Sequence, residues 1–88
     1  MSNVALILQP SRIHYADEWW PEDDYVVLFD GRVVGRIYAP KDGPQAGSWY
    51  WSLFEVPEKG WLAETGREAS LEAATGALDA RWRELCGP

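Results

Sequence analysis

The dipeptide Asp30-Gly31 sits between Tyr25-Val26-Val27-Leu28-Phe29 and Arg32-Val33-Val34-Gly35-Arg36-Ile37-Tyr38, and it leaves this chain few alternatives. Both flanks are rich in β-branched and aromatic residues, and Asp-Gly supplies the two positive-φ positions of a type I′ turn. The pattern predicts a hairpin over residues 25–38 with Phe29 opposite Arg32, Leu28 opposite Val33, Val27 opposite Val34 and Val26 opposite Gly35. One face then carries Val26, Leu28, Val33, Gly35 and Ile37. The other carries Tyr25, Val27, Phe29, Val34 and Tyr38 with Arg32 and Arg36. Both faces are apolar enough to be the core, so pattern alone does not choose between them, although the arginines favour water for the second. Gly35 marks either a bulge or a place where an indole lies on the backbone.

The flanking segments extend the sheet. Val4-Ala5-Leu6-Ile7-Leu8 is a short apolar run that reads as a strand stopped by Gln9-Pro10. Residues 11–24 have no period and mix Tyr15, Trp19 and Trp20 with Asp17, Glu18, Glu22, Asp23 and Asp24, an irregular loop with room for one helical turn. Residues 39–48 form a second loop. Trp49 to Val56 alternates as an aromatic strand, Pro57-Glu58-Lys59-Gly60 is a turn, and Trp61-Leu62-Ala63-Glu64 is a further short strand. Leu71, Ala74, Leu78, Trp82 and Leu85 recur at helical spacing and end before Gly87-Pro88. Thr65-Gly66-Arg67-Glu68 has capping-box spacing, and Ser70 is the rival cap, so the helix starts between Gly66 and Leu71. Gly76 inside it points to close approach of the helix to the sheet.

The expected fold is therefore α+β. A small antiparallel sheet of roughly three to five strands in meander order is packed on one face by a single C-terminal α-helix. Residues 1–88 make one domain.

Composition narrows function. A net charge of −6 and a pI near 4.6 oppose a nucleic-acid coat, for which a pI above about 9 is expected. They also disfavour a polybasic membrane binder. A single cysteine, Cys86, excludes an internal disulfide and a four-cysteine zinc site. Met1-Ser2-Asn3 lacks the positive cluster of a signal peptide, so a cytoplasmic location is expected, with no membrane partner. No catalytic constellation emerges: His14 is the only histidine, and no serine sits in a nucleophile elbow. No phosphate loop or dinucleotide fingerprint occurs. The acidic residues at 17–24 lack the alternation of a calcium loop and read as a solvated run. The expectation is a non-enzymatic chain without cofactor or metal.

Six tryptophans in 88 residues carry the strongest compositional message. Each large ring fills the core of a small domain, and Trp51, Trp61 and Trp82 are expected to meet between helix and sheet. Trp19 and Trp20 are adjacent, so on an extended segment they cannot both face inward. The candidate interaction surface is Tyr15, Trp19, Trp20, Arg32 and Arg36, serving an unidentified protein partner or self-association. The alternative is a nucleic-acid-associated regulator that uses Arg32, Arg36 and the aromatic strand, a role that the negative charge opposes.

Asp30-Gly31-Arg32-Val33-Val34-Gly35-Arg36-Ile37-Tyr38, Trp49-Tyr50-Trp51, Gly60-Trp61 and Ala80-Arg81-Trp82, in that order, resemble a group of short uncharacterised bacterial proteins over residues 24–83. The resemblance implies a small α+β domain with no assigned activity, and it brings no catalytic residues. The chain departs from the group in its longer Thr65–Ser70 approach to the helix.

Overall fold

The computed structural model describes residues 6–41, 43, 46–56 and 60–86. Five strands pair antiparallel in chain order: β1 (Ile7–Pro10), β2 (Asp24–Phe29), β3 (Arg32–Tyr38), β4 (Trp49–Val56) and β5 (Gly60–Glu68). One turn of helix, α1 (Ser11–His14), follows β1, and α2 (Leu71–Cys86) packs across β3, β4 and β5. The architecture is the expected α+β meander with a C-terminal helix on one face.

The core joins Val27, Val34, Ile37, Trp51, Leu53 and Val56 of the sheet to Ala74, Leu78 and Trp82 of α2. The predicted helical stripe is the buried one, with Leu71 and Leu85 packed at its ends. Asp30 and Gly31 both take positive φ, 53° and 79°, as the type I′ turn requires.

The hairpin register departs from simple pairing. Phe29 opposes Arg32 and Leu28 opposes Val33, but Val27 then opposes Gly35 and Val26 opposes Arg36. Val34 is the extra residue of a bulge. Because side chains alternate with period two, one added residue exchanges the faces beyond it. The core accordingly draws Val27 and Val34 from one expected face and Ile37 from the other. Gly35 is also a point of close approach, where an added Cβ would lie 2.5 Å from the Ser52 carbonyl oxygen.

Several other expectations are corrected. β1 runs through Gln9 and Pro10 instead of stopping before them; it is an edge strand, where the missing proline donor is tolerated. Val4 and Ala5 lie outside the described residues, as do Pro57, Glu58 and Lys59 of the expected turn. The Thr65–Glu68 capping box is not used. Those residues extend β5 and pair with Ser52, Tyr50 and their neighbours, and the Ser70 hydroxyl accepts the Ala73 N–H at 3.0 Å to cap α2. Trp61 is not in the core but 84% exposed, near the start of an edge strand. A β-carbon added at Gly76 would face open space, so the helix makes no close approach to the sheet there, whereas Gly66 lies against the Trp51 indole.

Candidate functional site

The acidic segment ends in a buried charge. Asp24 opens β2, and its side chain is only 2% exposed. Ser11, the first residue of α1, donates its hydroxyl to Asp24 Oδ1 at 2.7 Å. Arg36 Nε donates to the same oxygen at 3.0 Å, while Nη2 donates to Oδ2, so the guanidinium grips the carboxylate with two parallel bonds. This hydrogen bonding raises the Arg36 pKa above its ordinary value against the opposing effect of burial.

Rings stack around the pair. The Arg36 guanidinium lies 4.2 Å from the Tyr38 ring centre and 5.5 Å from that of Trp20. Trp20 stacks on Tyr15 at 5.2 Å, and Tyr38 on Tyr50 at 5.7 Å. The Trp20 Nε1–H is buried without an acceptor among the described residues. A cleft of about 390 Å³ opens beside this cluster, walled by Trp19, Trp20, Pro21, Tyr38 and Pro40. Trp19 is 85% exposed, so of the adjacent pair one indole is held and the other is presented to solvent. Since Asp24 and Arg36 neutralise one another, the remaining charges of the lining are Glu22, Asp23 and Lys41. Asp17 and Glu18, both exposed, precede it in the chain. The site is rigid at its base, aromatic on its walls and negative around its rim.

Of the five sequence-level candidates, the structure brings Tyr15, Trp19, Trp20 and Arg36 together. Arg32 is separate: the bulge at Val34 puts it on the opposite sheet face, opposite Phe29, whose ring lies 5.0 Å from Trp82 of α2. There Arg32 pairs with Glu55 at 3.0 Å. The expectation that both arginines share one face is thereby corrected. His14 donates from Nδ1 to Gln9 Oε1 at 2.9 Å, so an amide and not a carboxylate engages that nitrogen. Asp24 and Ser11 are the members that sequence reasoning missed, whereas Tyr38 shares the face of Arg36 as the hairpin alternation predicts. As part of an acidic run Asp24 reads as solvated, and only the shifted register sets Arg36 beside it.

The chain matches no protein family, no curated protein and no solved structure. Among the described residues no helix is long and apolar enough to cross a membrane.

Proposed function

We propose that this chain is a non-catalytic intracellular protein-interaction module whose cleft takes a positively charged segment of a partner, a lysine or arginine beside an apolar residue. The observation that carries the reading is the exposed Trp19 indole standing over a cleft whose base is fixed by the Asp24–Arg36 pair. Tryptophan is over-represented among residues that dominate binding energy, and a base already ordered loses little entropy when a ligand arrives. The volume, about 390 Å³, lies low in the range of ligand pockets and suits one or two side chains. Glu22 and Asp23, with the net charge of −6, attract a cation and repel an acidic segment.

The test is selection of displayed peptides on the full chain, with Trp19→Ala as counter-target, followed by fluorescence titration of synthetic winners at two salt concentrations. The expected winners carry lysine or arginine next to an apolar residue, lose at least about tenfold in affinity on Trp19→Ala, and weaken with salt. Winners that bind Trp19→Ala equally, or that are acidic, overturn the reading.

A nucleic-acid-associated role through Arg32, Arg36 and the aromatic strand is the competing proposal. The two arginines face opposite sides of the sheet and each is already held by a carboxylate, which leaves little charge for phosphate. Binding of mixed DNA and RNA at low salt, where the phosphate contribution is largest, would reinstate it.

A further inference from the structure

The strands that enter the Trp19 cleft, β2 and β3, are each flanked by strands on both sides. The cleft therefore offers no free sheet edge to which a partner could add a strand. Its volume of about 390 Å³ has room for one or two side chains, and not for the anchors that a helix spreads over two turns. Its walls are rings and prolines: Trp19, Trp20 and Pro21 on the approach to β2, and Tyr38 and Pro40 at the end of β3. Most of the rings are held in place within the single chain. Trp20 stacks on Tyr15, Tyr38 stacks on Tyr50, and the Arg36 guanidinium lies against both Trp20 and Tyr38. Trp19 differs, being 85% exposed, and its Nε1–H has no acceptor among the described residues.

We infer that the occupant of this cleft is a proline-rich segment in the polyproline II conformation, with an arginine or lysine one turn from the proline that is seated. The inference rests on the interaction-module reading above and names its ligand. A cleft without a sheet edge has no ladder for the backbone donors of an ordinary extended segment, whereas proline has no N–H to leave unpaired. A polyproline II chain makes no internal hydrogen bonds, so its carbonyls are free to accept from the Trp19 indole. Its conformation is largely formed before binding, which lowers the entropy lost, and its pyrrolidine rings pack against aromatic faces. This helix repeats every three residues, a rise of about 9 Å, so a residue three positions from the seated proline also turns towards the protein. Charge decides what that residue is. Glu22 and Asp23 belong to the wall that leads into β2, and the exposed Asp17 and Glu18 precede them. Asp24 already neutralises Arg36, so among the described lining residues Lys41 alone offsets the acids, and a cationic ligand is favoured.

Fluorescence anisotropy of labelled, end-capped peptides added to the full chain tests the inference. The first peptide is Arg-Leu-Pro-Pro-Leu-Pro-Arg, in which each arginine stands one turn from the central proline, so either chain direction is served. The second carries alanine for every proline and is too short to form a stable helix. The third carries glutamate for both arginines. The first peptide should bind, and the second and third should each be weaker by about tenfold or more. Trp19→Ala should weaken the first by about tenfold or more, and Trp61→Ala, at an exposed position on β5, should leave it unchanged. Both residues are exposed, so the variants should fold, and circular dichroism checks that they do. Equal binding of the proline and alanine peptides, both lost on Trp19→Ala, overturns the inference and leaves the broader reading standing. Binding of neither arginine peptide also overturns it, and the displayed-peptide selection then decides the broader reading by itself. Equal binding of the glutamate peptide, or binding that survives Trp19→Ala, overturns both.

Discussion

The Trp51 indole packs so closely on the backbone of Gly66 that a β-carbon placed there would lie 2.3 Å from its Nε1. Trp51 is a core residue, and Gly66 opposes it in the β4–β5 ladder, so neither side has room to withdraw. Gly66→Ala is expected to destabilise by about 1–3 kcal/mol, the usual range for overpacking. Urea denaturation of the two proteins checks it.

Gly76 behaves oppositely. An added methyl group would project into open space beyond the helix's own backbone, and the residue is an exposed position inside α2. Gly76→Ala should stabilise by up to about 1 kcal/mol through helix propensity alone. A higher melting temperature is the expected reading, and a lower one would reveal a contact at this position.

Trp82 and Trp61 separate core from surface. Trp82 is buried against Phe29 and Leu78's layer of the core, and Trp82→Ala should cost roughly 3–5 kcal/mol. Trp61→Ala, at an 84% exposed position, should fall within about 0.5 kcal/mol of the parent. Equilibrium unfolding followed by far-ultraviolet circular dichroism distinguishes them.

The Asp24–Arg36 pair should respond asymmetrically. Arg36→Ala strands a carboxylate that is 2% exposed with only the Ser11 hydroxyl for company, a loss of about 3–5 kcal/mol. Asp24→Asn keeps a polar partner for Ser11 and frees a guanidinium that is 38% exposed to turn towards water, so it should cost under about 2 kcal/mol. Denaturant titration of both variants gives the order.

Glu64 ties β5 to α2 through Arg81, and this hydrogen bonding holds its pKa below the ordinary carboxylate value. A lowered folded-state pKa contributes stability that is fully present above the unfolded value, near 4.3, and is lost as pH falls through the folded value. Melting temperature followed from neutral to strongly acid pH should therefore drop in that acid window. Glu64→Gln should remove this part of the drop while lowering stability slightly at neutral pH.

The sequence by itself determined the parts that are written in consecutive residues. The Asp30-Gly31 turn, the aromatic β4 strand and the α2 stripe follow from local dihedral preference and from periods of two and 3.6 residues, and together they imply an antiparallel sheet under one helix. It also implied that one of Trp19 and Trp20 is presented outward. Tertiary structure alone decided the rest, because each remaining feature depends on a partner far along the chain. Pairing with β4 drew Thr65–Glu68 into β5 against their helical capping pattern. One bulge residue, Val34, sent Arg32 and Arg36 to opposite faces, and it set Arg36 where Asp24 is buried beneath Ser11. A period-two ladder converts a single inserted residue into an exchange of faces, and no local pattern announces where that insertion falls.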